Sequence, residues 1–145
     1  MQSRFLRAIC VLACFALAAP LFAQYGHPLK GTFSGDFWIQ KGKETHITIE
    51  FNYDGDKDLV TGTLNPGPEG APLQKLTVTP PPLDKVSEAM KPWAVNFEVD
   101  AKDDTGKAVH YVVQGNLENS GAFNKHLSGA WTANGQKGEF KMIMQ

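Results

Sequence analysis

His46-Ile47-Thr48-Ile49-Glu50-Phe51-Asn52-Tyr53 alternates polar and apolar residues without a break, so Ile47, Ile49, Phe51 and Tyr53 share one face. A repeat of two belongs to a pleated strand with one buried face; a helix would need spacings of three and four. Working outward from this strand, the same pattern recurs in short runs separated by Gly, Pro, Asn and Asp. A first strand over about residues 29 to 40 sets Phe33, Phe37 and Ile39 on one face, with Asp36 and Trp38 on the other. A third, from about Leu59 to Asn65, ends in Asn65-Pro66-Gly67-Pro68-Glu69-Gly70. A fourth, from about Leu73 to Thr79, ends at Pro80-Pro81-Pro82. Asp84 can cap a short helix through Met90, because its carboxylate accepts from first-turn amides, and Pro92 closes it.

The second half repeats the pattern in hairpins whose turns fix the register. Trp93, Val95, Phe97 and Val99 share the face of a fifth strand, and Val109, Tyr111, Val113 and Leu117 that of a sixth. The turn Asp103-Asp104-Thr105-Gly106 between them, with Gly106 at positive φ, sets Val99 opposite Tyr111 and Phe97 opposite Val113. Asn134-Gly135 is a two-residue turn that sets Leu127 opposite Met142 and Gly129 opposite Phe140. In both hairpins apolar faces meet, as a correct register requires. The expected fold is all-β: an eight-stranded antiparallel up-and-down barrel with one short helix, since closure removes exposed strand edges. A β-sandwich is the alternative.

The first 23 residues read differently. Arg4 and Arg7 precede an apolar run from Ala8 to Phe22, the layout of a secretory signal peptide, with cleavage expected after Ala23 and a single barrel domain over residues 24–145. The run is too short for a confident spanning helix. Both cysteines, Cys10 and Cys14, and both arginines lie inside this leader. The remainder, ~120 residues, is one domain with room for a real core. It can form no disulfide and offers no thiolate nucleophile or sulfur-ligated zinc. Its basic residues are all lysine and are outnumbered by the 15 carboxylates, which argues against nucleic acid as a partner.

Gly31-Thr32-Phe33 at the start of the first strand and Gly129-Ala130-Trp131 at the start of the last hairpin resemble the calycin barrels, the lipocalin and avidin group. The opening Gly-Thr-Phe-Ser-Gly-Asp and the closing Gly-x-Trp-Thr and Lys-Gly-Glu-Phe are also similar to secreted bacterial β-domains without an assigned function. The calycin resemblance implies a ligand cavity at a barrel mouth and no covalent catalysis.

The inward face is rich in rings, and an eight-stranded barrel is just wide enough to be filled by its side chains or to hold one small ligand. Tyr53, Trp93, Tyr111 and Trp131 each carry a polar tip on an apolar body, which suits the lining of a small-molecule site. Inward glycines at 31, 35, 129 and 138 would remove bulk and leave room. The segment from Leu83 to Met90 could lie as a lid or plug over one mouth. Trp38 beside Asp36 on the outer face is the candidate partner-binding surface.

Other constellations have plainer readings. Asp54, Asp56 and Asp58 alternate like a calcium loop, but Leu59 and Asn65 stand where that loop wants glycine and glutamate. Asp100 and His110 fall opposite one another on the outer face, with no serine or threonine nucleophile placed beside them. His27, His46 and His126 lack zinc spacing. No cofactor or metal is expected. The expected protein is secreted or periplasmic, does not span the membrane and is not an enzyme, and it binds a small apolar or amphipathic ligand. A protein-binding envelope module or hydrolase inhibitor is the second reading and a cavity enzyme the third.

Overall fold

The computed structural model describes residues 26–40, 42–82, 91–103 and 105–145. The expected signal peptide and the expected helix from Asp84 to Met90, with its lid role, lie outside the described residues. Nine strands follow in chain order: β1 (Gly31–Trp38), β2 (Thr45–Asp54), β3 (Leu59–Leu64), β4 (Ala71–Pro72), β5 (Gln74–Thr79), β6 (Trp93–Lys102), β7 (Ala108–Glu118), β8 (His126–Ala133) and β9 (Gln136–Met144). They form one antiparallel sheet in the order β4-β3-β2-β1-β9-β8-β7-β6-β5. Its two end strands, β4 and β5, are joined by a single residue, so the sheet curls into a nearly closed barrel.

The count of eight is corrected to nine, because a two-residue strand, β4, precedes the expected fourth strand, which is β5. Ala71 and Pro72 pair with Leu64 and Thr63 of β3, and the Leu73 amide donates to the Gly62 carbonyl at 2.9 Å. The chain then crosses to the other edge, where Gln74 to Thr79 pair with β6 through an irregular register between Gln74 and Thr77. Lys75 sits there at φ 49°, the left-handed conformation of a bulge. One strand thus serves both edges in turn, and that is how the barrel closes.

Hairpin registers agree with those read from the turns. Val99 faces Tyr111 and Phe97 faces Val113; Leu127 faces Met142 and Gly129 faces Phe140. Gly106 takes φ 81°. Inward residues fill one end of the barrel: Phe33, Phe51, Leu29, Leu117, Leu127 and Met142 are almost wholly buried, Phe33 and Phe51 edge to face at 5.8 Å. Each such side chain contributes ~1.5–3 kcal/mol on leaving water.

The inward glycines do not leave room for a ligand, contrary to the expectation. A Cβ at Gly35 would strike the Lys141 carbonyl, one at Gly129 the Gln114 carbonyl, and one at Gly138 the Trp38 carbonyl and the Trp131 ring. Met144 covers Gly31. These glycines let neighbouring strands pass closely where the sheet bends. Gly35→Ala and Gly129→Ala are therefore each expected to lower the unfolding free energy by about 1–3 kcal/mol in urea denaturation. Gly121→Ala, in a loop where an added Cβ meets nothing within 4 Å, should leave it unchanged; equal effects at all three positions would refute this role.

Candidate functional site

The two ends of the barrel differ. At one end, Gly26–Lys30 turns beneath the core, with the Lys30 amide bonded to the His27 carbonyl at 2.9 Å and Leu29 fully buried. His27 packs against Tyr53, ring centroids 5.0 Å apart, and edge-on to Trp93 at 5.9 Å. The Tyr53 hydroxyl donates to Asp58 at 2.9 Å. Rings therefore seal this closed end, with the Tyr53 hydroxyl turned outward to exposed Asp58.

The other end is hollow. A cavity of about 670 Å³ opens between the C-terminal halves of β1, β6 and β8 and the N-terminal halves of β2, β7 and β9. That is within the ~300–1,000 Å³ typical of small-molecule sites. On β6 its lining extends from Phe97 to Lys102, so it reaches ~13 Å along the strand from Phe97 to Ala101. Phe37, Tyr111 and Trp131 form one wall, their rings meeting edge to face with centroids 5.6–6.3 Å apart. Ile47, Ile49, Leu64, Val99 and Val113 complete an apolar interior. Gln40, Lys43, Thr45, Lys102, Asp103 and Gln136 stand at the mouth. Apart from the Tyr111 phenol, no ionisable side chain lines the wall below the rim among the described residues.

The four expected ligand-binding residues do not share one mouth. Tyr111 and Trp131 line the cavity, but Tyr53 and Trp93 belong to the closed end with His27. The reason is distance along the strand: Trp93 lies six residues, ~20 Å, before Val99, the residue paired with Tyr111. Alternation placed all four inside but carried no information on depth. Trp131 Nε1 is buried with no hydrogen-bond partner. An orphaned donor costs ~1–3 kcal/mol, and this one is enclosed by protein, on the indole edge that lies over Gly138. Phe37, Ile47 and Leu64 are the lining residues that sequence reasoning did not single out; their signal is a place at the open end of an inward row, visible once strand ends are known.

The expected partner surface is a shallow groove on the outside of β1, β2 and β9. Trp38 is half-buried there beside Glu44, Lys141 and the exposed Ile143. Asp36 is already engaged, with His46 Nδ1 3.1 Å from its carboxylate.

On the outside of β5–β7, Asp100 faces His110 as expected. The imidazole lies between two carboxylates, Nδ1 2.6 Å from Asp100 and Nε2 3.2 Å from Glu98. Gln74 donates to Asp100 at 2.7 Å and Lys75 to Glu98 at 2.9 Å. The bond to Asp100 raises the His110 pKa, while Asp100 is held below the usual range by His110 and Gln74, and Glu98 by Lys75 first and His110 after. With both ring nitrogens facing acceptors, this pair suits a surface ion cluster. His27 shifts the other way, lowered by burial against the opposing pull of Asp58. Its Nδ1 accepts from the Leu29 amide at 3.2 Å, which requires that nitrogen unprotonated. No group of three or more His, Cys, Asp or Glu that could hold a metal occurs among the described residues. No helix there is long and apolar enough to cross a membrane. No protein-family model, curated protein or solved structure matches the chain.

The two histidines give opposite pH dependences. For His27, whose folded pKa is lowered, stability is whole above the ordinary 6.5 and is lost as pH falls through it toward the folded value. For His110, raised in the fold, stability is whole below 6.5 and is lost as pH rises through the folded value. His27→Gln should flatten the fall of the urea midpoint between about pH 7 and 5, and His110→Gln the fall between about pH 6 and 8. The same slope in wild type and both variants would remove the assignment.

Proposed function

We propose that this chain is a secreted or periplasmic, non-enzymatic binding protein that holds a small apolar or amphipathic molecule in the open end of a calycin-like barrel. One observation carries the reading: the barrel is packed solid at one end and hollow at the other, although aromatic residues line both. A hollow of about 670 Å³ with walls that are apolar apart from the Tyr111 phenol, and charged groups at its mouth, suits a ligand that enters end-on. The export assignment comes from the leader-like first 23 residues, and such a compartment agrees with a domain that uses no cysteine.

A cavity enzyme is disfavoured in this reading, because Asp100 and His110 stand on the outer face and, among the described residues, the wall below the rim supplies no carboxylate or imidazole to a bound substrate. Protein binding is the second reading, favoured by the groove around Trp38 and the exposed Ile143. In that groove Asp36 serves as the partner of His46.

Native mass spectrometry of the protein gently purified from its own envelope is expected to retain a small ligand. Ala101 and Ala133 line the cavity, so Ala101→Trp and Ala133→Trp should each weaken binding of the neutral dye Nile red by about tenfold or more. Trp93→Phe, at the closed end, should leave it unchanged. A clean apo mass together with dye binding insensitive to all three substitutions would sink the proposal.

A further inference from the structure

We propose that the ligand of the open end is a single-chain amphiphile with an anionic headgroup, its tail in the cavity and its charge between Lys43 and Lys102 at the rim. This rests on the binding reading above and specifies its ligand. Among the described residues, three charged side chains line the mouth: Lys43, Lys102 and Asp103. The acid is already occupied by its own turn. Asp103 Oδ1 accepts from the Thr105 amide at 2.9 Å, the Thr105 hydroxyl at 2.6 Å and the Lys107 amide at 3.0 Å, which hold its pKa down and tie that oxygen to the loop.

The next nearest acid in sequence, Glu44, likewise turns back, accepting from the Gly42 amide at 2.7 Å. Lys102 meets Glu69 at 3.5 Å, but both side chains are well exposed, at 62% and 81%, and an exposed pair of that length is readily exchanged for a ligand charge. The mouth therefore offers two ammonium groups, and its acids are committed elsewhere or loosely held. Their positions follow from topology. Lys43 precedes β2 and Lys102 ends β6, and two strands, β9 and β8, separate the β1–β2 hairpin from the β6–β7 hairpin along the sheet. The lysines thus approach the mouth from different sides.

Head and tail are sorted by solvation. Below the rim, Phe37, Ile47, Leu64, Phe97 and Val113 take methylene groups out of water. An anion carried down there would lose its hydration with no cation to replace it. At the rim it keeps water and gains charge-assisted hydrogen bonds from ammonium donors. A neutral head gains only the tail's share, and a cationic head is repelled.

Calorimetric titration of the full folded domain with decanoate, decanol and decyltrimethylammonium at neutral pH tests this. Decanoate is expected to bind about tenfold or more tightly than the cation. Lys43→Glu combined with Lys102→Glu, its fold checked by circular dichroism, should abolish that preference and leave decanol unchanged; Lys43→Gln alone should give an intermediate loss. Equal binding of the three probes, or decanoate binding unaffected by the lysine variants, overturns the headgroup assignment while the binding reading stands. If none of the three binds, the binding reading falls and this inference with it.

Discussion

Strands that pass close enough to bend the sheet are what the rest of this molecule depends on. At Gly35 against β9, at Gly129 against Gly115 of β7, and at Gly138 beneath Trp131, the neighbouring backbone or ring occupies the space a Cβ would need. A sheet with side chains there would be held apart and flatter. Its edge strands β4 and β5, which are one residue apart in the chain, would then lose either β3 or β6. The bend at Gly138 also seats the Trp131 indole, which becomes a wall of the cavity. Closure and the cavity wall therefore have a common origin in the absence of a few methyl groups.

The two ends of the barrel answer a single packing problem in two ways. Rings from β1, β2, β6, β7, β8 and β9 point inward, and at the closed end the turn at Gly26–Lys30 adds Leu29 and the His27 ring to them, so the layer is complete. No comparable segment crosses the open end among the described residues. There the rings pack into one wall, Phe37 on Tyr111 and Trp131, and the opposite side is left to shorter aliphatic side chains. The volume between them is what makes binding the natural reading. Charge is kept to the rim and the outer face, where water solvates it.

Much of the architecture was legible because its signals are local. The Ile47–Tyr53 alternation, Gly106 at positive φ and the Asn134-Gly135 turn each fix geometry within a few residues, and the pairings they imply are those observed. The outward pairing of Asp100 with His110 followed from the same register. What failed needed longer range. Leu73 to Thr79 read as one strand and the residues before it as a connection, because neither the short pairing of Ala71 and Pro72 with β3 nor the bulge at Lys75, by which the chain passes from one edge to the other, has a mark in the alternation. Inward glycines read as missing bulk, because the atom that fills the space belongs to another strand.

The candidate site shows the same division. Sequence alone determined which side chains enter the barrel, since a period of two assigns each residue to a face whatever the strand meets. It determined also that the chain beyond residue 23 has lysine alone as fixed cation and no thiol. Only the tertiary structure decided depth: Tyr53 and Trp93 fell to the sealed end, Tyr111 and Trp131 to the hollow one, and Lys43 and Lys102 to the same mouth. The physical reason is that facing is a property of one strand, while height in the barrel depends on the stagger of every strand against its neighbours and on which end the chain happens to fold across.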